Sequence, residues 1–233
     1  MIMIDYVFEP GLIRSLPVAD STARFPVARV FCLGRNYHWG DSQNAPREMP
    51  AFFMKPATSV IDAVGELDFP PLTEQFCHEI ELVVAIGIGG VDIAQADALD
   101  HVWGYAAGLD LTRRDLQMAA KAVGQPWEAA KAFDGSAPIT PIQPASVLGH
   151  PNQGALWLSV NGVERQRSDL ENQIWSVSEI VSRLSTSIRL IPGDLIMTGT
   201  PPGVDVLQSG DVITAGIAGI GSLELRVGSR RAA

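Results

Sequence analysis

His78-Glu79-Ile80-Glu81-Leu82-Val83-Val84-Ala85-Ile86-Gly87 is the stretch from which the rest of the chain is read. The apolar, β-branched run has strand character, and a strand sends alternate side chains to opposite faces. Glu79 and Glu81 therefore share one face at the head of that strand. Two carboxylates on one face repel each other, and each is costly to take out of water unpaired. An exposed edge strand with both acids in solvent satisfies them, and so does a cation that both of them face. A hard divalent ion such as Mg²⁺, Mn²⁺ or Ca²⁺ suits the pair, because it prefers oxygen ligands.

Other residues bear on that choice. Val102-Trp103-Gly104-Tyr105-Ala106-Ala107-Gly108-Leu109-Asp110 reads as a second, glycine-rich strand, with Asp110 where the backbone opens into a turn. From there Asp110 can supply a third oxygen ligand to a facial set, or it can cap a following helix. That helix is predicted over 112–121, with Thr112 as a plausible cap. Arg114 and Gln117 lie three apart on it and share a face, where a guanidinium fork and an amide suit a carboxylate-bearing substrate or simply face solvent. Lys131, flanked by small apolar residues, either binds an anionic oxygen beside the carboxylates or lays its stem along the surface. Thr198-Gly199-Thr200-Pro201 is a strand-end turn whose hydroxyls and glycine N–H can receive a carboxylate or oxyanion, or it is only a turn.

The remaining chain reads as short strands with hairpin-type turns. Residues 1–28, broken by Pro10, Pro17 and Pro26, form an N-terminal segment packed on a main domain of residues 29–233. Strands are expected at 30–34, at 51–54 ending at Lys55-Pro56, on both sides of Asn161-Gly162, at 195–198 and within 211–227. A loop is expected over 38–50 and an amphipathic helix over 177–184. Strands outnumber helices without regular alternation, so a doubly wound sheet is excluded in favour of a mixed α+β domain on a twisted, rolled sheet.

Composition narrows the function classes. The chain has 233 residues, 46% of them hydrophobic and 18% charged, with 22 glycines and 16 prolines, which indicates a turn-rich globular protein. A net charge of −9 argues against nucleic acid or an anionic membrane as the main partner. No apolar run approaches the roughly 20 residues of a membrane span, so a cytoplasmic protein is expected. Cys32 and Cys77 read as two buried free thiols. Gly87-Ile88-Gly89-Gly90 lacks the spacing and following helix of a dinucleotide fingerprint, and the four histidines lack zinc-type spacing.

Several of these pieces stand in an order and spacing that resemble the fumarylacetoacetate hydrolase family over most of the chain. They are Leu33-Gly34-Arg35-Asn36-Tyr37, Phe53-Met54-Lys55-Pro56, His78 to Leu82, Gly104-Tyr105, Leu109 to Gln117, Lys131-Ala132-Phe133-Asp134, Asn161-Gly162 and Pro192 to Pro201. The resemblance implies a highly twisted β-roll with short helices and a homodimer. It also implies a Mg²⁺ or Mn²⁺ site on Glu79, Glu81 and Asp110. Substrate contact is expected from Arg35, Arg114, Gln117, Lys131, Gly199 and Thr200, with Lys131 also stabilising an enolate. The implied chemistry is cleavage of a C–C bond in acylpyruvate-type β-diketo acids such as fumarylpyruvate, a step of aromatic catabolism. A decarboxylase or isomerase of a keto acid such as oxaloacetate, or a non-catalytic keto-acid binder, fits the same site. One departure concerns the base. The short acylpyruvate branch carries a histidine four residues after the Asn of its Asn-Tyr pair, with a glutamate close behind. Here Gly40 stands at that place, His38 comes two positions early, and Glu48 is the loop's glutamate. Either His38 and Glu48 serve as the catalytic pair through a differently folded loop, or the chain lacks the hydrolytic base and carries out a metal-driven decarboxylation or tautomerisation.

Overall fold

The computed structural model of the chain describes residues 6–9, 11–39 and 46–230. Among them, eight strands form the main sheet. Its order is Ala51–Pro56, Arg29–Gly34, Asp194–Met197, Ile80–Ile86, Val102–Leu109, Ala137–Ile139 and Val60–Asp62, with Gln143–Pro144 also paired to Val102–Leu109. A five-stranded sheet runs Val163–Asp169, Ala155–Val160, Val212–Ile217, Gly221–Val227 and Glu66–Leu67. Parallel and antiparallel pairs are mixed, the sheet is curled into a half-barrel, and the helices are few and short. This is the α+β roll that the sequence leads one to expect.

The parity of Ile80–Ile86 organises the interior. Ile80, Leu82, Val84 and Ile86 point into the larger core, where they meet Leu156, Leu158, Ile213, Leu223 and Leu225 of the five-stranded sheet. Val83 and Ala85 point the other way, into a second core with Val30, Cys32, Ala106 and Met197. The hairpin Ser15–Pro17 and Arg24–Pro26 covers that second core with Leu16 and Phe25. Ile80–Ile86 is thus a central strand buried on both faces. That rules out the exposed-edge arrangement for Glu79 and Glu81, which are 7% and 2% exposed.

The turn at Asn161-Gly162 forms as its sequence dictates, with φ of 51° and 76°, the left-handed pair that a two-residue hairpin needs. Helix Val177–Ser187 starts at a capping box: the Ser176 side chain accepts from the Glu179 N–H, and the Glu179 carboxylate accepts from the Ser176 N–H. The helix after Asp110 starts later than the sequence suggests. Thr112–Arg113 is extended and pairs with Phe76–Cys77, and helix Arg114–Ala122 begins without a side-chain cap. Thr112 is therefore not a cap; its hydroxyl donates to Glu79 Oε1 at 3.2 Å. Cys32 and Cys77 are buried free thiols. No helix among the described residues is long and apolar enough to cross a membrane.

Candidate metal centre and its cavity

Strand register assembles the carboxylates. Ile80 pairs with Leu109 and Glu81 with Gly108 in the antiparallel ladder, and the Asp110 N–H donates to Glu79 O at 2.8 Å. Glu79 therefore sits opposite Asp110, and Glu81 lies two residues along on the same face. One carboxylate oxygen from each of Glu79, Glu81 and Asp110 lies within 4.8 Å of the others, and all three residues are buried.

Two lysines meet this cluster. Lys131 Nζ donates to Glu79 Oε2 at 2.8 Å and to Asp110 Oδ2 at 2.5 Å. It is 2% exposed, which excludes the surface arrangement for its side chain. Burial works to lower its proton affinity, but the charges of Asp110 and Glu79 outweigh burial and hold it above the ordinary lysine range. The second lysine, Lys55, belongs to the Phe53-Met54-Lys55-Pro56 piece and reads in the sequence as a strand end, with no site role. It is fully buried in Ala51–Pro56, with its ammonium 2.9 Å from Asp110 Oδ1. Its protons go to Leu111 O at 3.2 Å, Ser136 Oγ at 2.9 Å and Lys131 O. An ammonium has three donors, so none remains for Asp110 Oδ1, which is buried without a hydrogen bond.

Glu81 has no such cation. Its Oε2 accepts the Gly199 N–H at 2.7 Å, while the cluster's ion pairs run to Glu79 and Asp110. Burial, followed by repulsion from Asp110 and Glu79, pushes its carboxyl well above the usual range. Lys55, Lys131 and, at the edge of the cluster, Arg114 meet Asp110 and Glu79, so Glu81 alone has no ion-pair partner. The orphaned Asp110 oxygen, the crowded Glu81 and the all-oxygen donor set together fit a hard divalent cation.

The turn after Asp194–Met197 holds Glu81 in place. Gly199 has φ of +93°, and a Cβ there would lie 2.8 Å from Asn36 Cβ, so only glycine delivers this N–H to Glu81. The Gly199 amide is thus engaged by the carboxylate. The Thr200 hydroxyl donates to Ile80 O and accepts from Gln166 Nε2, each at 2.8 Å. Gln166 also receives the Ile80 N–H and bonds His78, so a residue with no motif signal fixes the turn. Asn36 does the same from the other side, donating to Thr198 O and Trp175 O.

Above the carboxylates lies a cavity of about 980 Å³. Its wall carries Arg35, His38, Glu48, Arg114, Gln117, Lys131 and Thr200 alongside the three carboxylates. Arg114 Nη1 donates to Gln117 Oε1 at 3.0 Å and lies 3.9 Å from Glu79 Oε1. Arg35, with φ of 61°, meets Glu48 at 3.3 Å in solvent, a contact of little energetic weight. His38 is half-buried on the wall. Gly40, the position where the family resemblance expects a histidine, lies outside the described residues.

Arg47 ties this rim to the helix start. Its guanidinium stacks 3.6 Å from the Trp175 ring centroid and forks onto Glu179 at 2.9 and 2.8 Å. The Arg47 hydrogen bonds are the main reason the Glu179 carboxyl falls from 4.5 to about 2. A lowered folded-state value gives stability that is present above 4.5 and lost as pH falls through about 2. Thermal unfolding of wild type should therefore lose stability between pH 4.5 and 2 more steeply than that of Glu179→Gln. Parallel curves would show that the fork contributes nothing.

Known proteins share this sequence pattern and fold. The model of the fumarylacetoacetate hydrolase C-terminal family matches residues 29–228. A fumarylpyruvate hydrolase from a Ralstonia species is 41% identical over 184 residues, covering 78% of this chain and 94% of that protein. The mitochondrial oxaloacetate tautomerase of Arabidopsis thaliana is 37% identical over 204 residues, 87% of this chain and 92% of that protein. The crystal structure of fumarylpyruvate hydrolase from Pseudomonas aeruginosa, in complex with Mn²⁺ and pyruvate, matches with a TM-score of 0.93. That pair is 48% identical over 97% of this chain and 100% of the other.

Proposed function

The chain belongs to the fumarylacetoacetate hydrolase family, and from that membership we propose a divalent-metal-dependent hydrolase that splits acylpyruvates such as fumarylpyruvate into pyruvate and a carboxylic acid. The observation that carries the reading is the cluster of three buried carboxylates, Glu79, Glu81 and Asp110, at the floor of a cavity whose wall also holds Arg114, Gln117 and Lys131. The solved relative with Mn²⁺ and pyruvate supports it. Mg²⁺ and Mn²⁺ are the cations proposed for the three carboxylates.

A bound divalent ion supplies Lewis-acid polarisation of an α-keto-carboxylate. The chain's own groups do the rest. Arg114, aligned by Gln117, receives the substrate carboxylate. Lys131 offers its ammonium to the oxygen that gains charge as the C–C bond breaks and pyruvate leaves as its enolate. Hydrolysis also needs a base to take a proton from the attacking water, and His38, which lines the cavity as Glu48 does, is assigned that role.

The oxaloacetate tautomerases among the relatives favour a second reading, isomerisation of a keto acid on the same residues. Pyruvate release from fumarylpyruvate and acetylpyruvate, measured with Mg²⁺ or Mn²⁺ and after chelation, separates the two. Hydrolysis that needs the metal supports the first; tautomer formation without hydrolysis supports the second; oxalate binding with no turnover leaves a binding protein. His38→Ala is expected to slow hydrolysis by about a hundredfold while metal binding persists. An unchanged rate would remove His38 as the base. The proposal includes a homodimer, supported by Val7, Phe8, Leu12 and Ile13, whose apolar side chains stand exposed on the single chain; light scattering on the same sample tests it.

A further inference from the structure

Lys121 is a cation that the chemistry above does not use. It follows Arg114 and Gln117 at the next helical spacing on Arg114–Ala122, so all three line the same cavity. Its Cα lies about 10 Å along the helix axis from that of Arg114, at the usual rise per residue. The other cations of the wall are engaged: Arg35 with Glu48, Arg47 with Glu179, Arg114 with Gln117, and Lys131 with Glu79 and Asp110. Lys121 meets no carboxylate and no hydrogen-bond acceptor among the described residues. Among the described residues its specific contact is with Trp127, the ring centroid lying 5.1 Å from Nζ.

That contact belongs to a series. Trp127 packs edge-on against Phe53 with centroids 4.9 Å apart, and Lys131 Nζ lies 5.3 Å from the Phe53 centroid. The cavity thus has a cation at its floor, two aromatic rings forming a wall, and a second cation at its rim. A ligand complementary to this series is anionic at both ends and flat and apolar between them.

We propose that Lys121 recognises the distal carboxylate of an α-keto diacid whose unsaturated middle lies on Phe53 and Trp127. The inference rests on the reading of the keto-acid end given above and adds which substrates that site prefers: long diacids over short ones, and carboxylated acyl groups over neutral ones. Burial, and then the charges of Arg114, Lys131 and Arg35, hold the Lys121 ammonium below the ordinary lysine range. An anion seated there relieves that excess of positive charge. Lys121 stands in the binding path and makes no contact with the carboxylate cluster.

The binding test compares two ligands that differ only at the far end. Affinities of metal-loaded protein for 2-oxoadipate and 2-oxohexanoate are measured by calorimetry, for wild type, Lys121→Gln and Lys121→Arg. Where turnover is present, kcat/KM is measured for fumarylpyruvate and acetylpyruvate. The preference for the carboxylated member should fall about tenfold in Lys121→Gln, through KM more than kcat, and be largely kept in Lys121→Arg. A preference unaltered in Lys121→Gln overturns the proposal, as does one lost equally in Lys121→Arg. Absence of hydrolysis in wild type counts against the hydrolase reading alone, because the 2-oxo acid pair reports on Lys121 without any chemistry.

Discussion

Asp110→Asn is expected to abolish metal-dependent turnover, by roughly a thousandfold if the lost Lewis-acid stabilisation is several kcal/mol at about 1.4 kcal/mol per tenfold. The side chain keeps its size and loses its charge, so the effect is electrostatic. Asp110 is the carboxylate that both buried lysines address, Lys55 through Oδ1 and Lys131 through Oδ2. Its Oδ1 is buried without a hydrogen bond, and Asp110 is one of the three carboxylates that would hold the cation. Folded stability should fall as well, by about 3 kcal/mol, the lower end for breaking a buried ion pair, because Lys131 retains Glu79 and Lys55 retains its carbonyls. Thermal unfolding with and without Mn²⁺ separates the two effects. Wild type should gain about 2.7 kcal/mol at a hundredfold excess over Kd, and the variant should gain almost nothing. A variant that keeps both the metal-induced shift and the activity removes Asp110 from the metal site.

The period of two in residues 79–81 was enough to put both carboxylates on one face, and the rolled α+β architecture followed from short strands and hairpin signals. What the period leaves undetermined is the company each face keeps. A strand buried on both sides and an amphipathic edge strand share this local pattern at Glu79 and Glu81, and only the neighbouring strands Asp194–Met197 and Val102–Leu109 distinguish them. Thr112 illustrates a second limit. A threonine ahead of an amphipathic run reads as a cap, but the ladder to Phe76–Cys77 keeps it extended and its hydroxyl goes to Glu79. Local propensity gave way there to a tertiary hydrogen bond. Gln166 carries no local signal at all, and the motif around Asn36 does not disclose its task, because both bind the backbone of distant turns.

Lys55 is the largest such omission, and Lys55→Met should reveal its role through two effects of opposite sign. Within Ala51–Pro56 a lysine before a proline looks like the end of a strand at solvent. The pairing of Lys55 with Val30 instead turns it into the protein interior, beneath Asp110. Methionine fills a similar volume but leaves Leu111 O and Ser136 Oγ without the Lys55 donor, Lys131 O with the Ser136 hydroxyl alone, and Asp110 with one cation fewer. Metal-free Lys55→Met should therefore unfold with a loss of about 3–5 kcal/mol. The cluster left behind is more negative by one charge, and a divalent cation is correspondingly more welcome. Saturating Mn²⁺ should then stabilise Lys55→Met by more than it stabilises wild type. A packing defect alone predicts equal metal shifts in the two proteins, and a smaller shift in the variant would mean that Lys55 serves to aim Asp110. In the double variant Lys55→Met/Asp110→Asn, the combined loss should fall short of the sum by about 0.5–3 kcal/mol, because the second substitution removes the charge that the first one stranded.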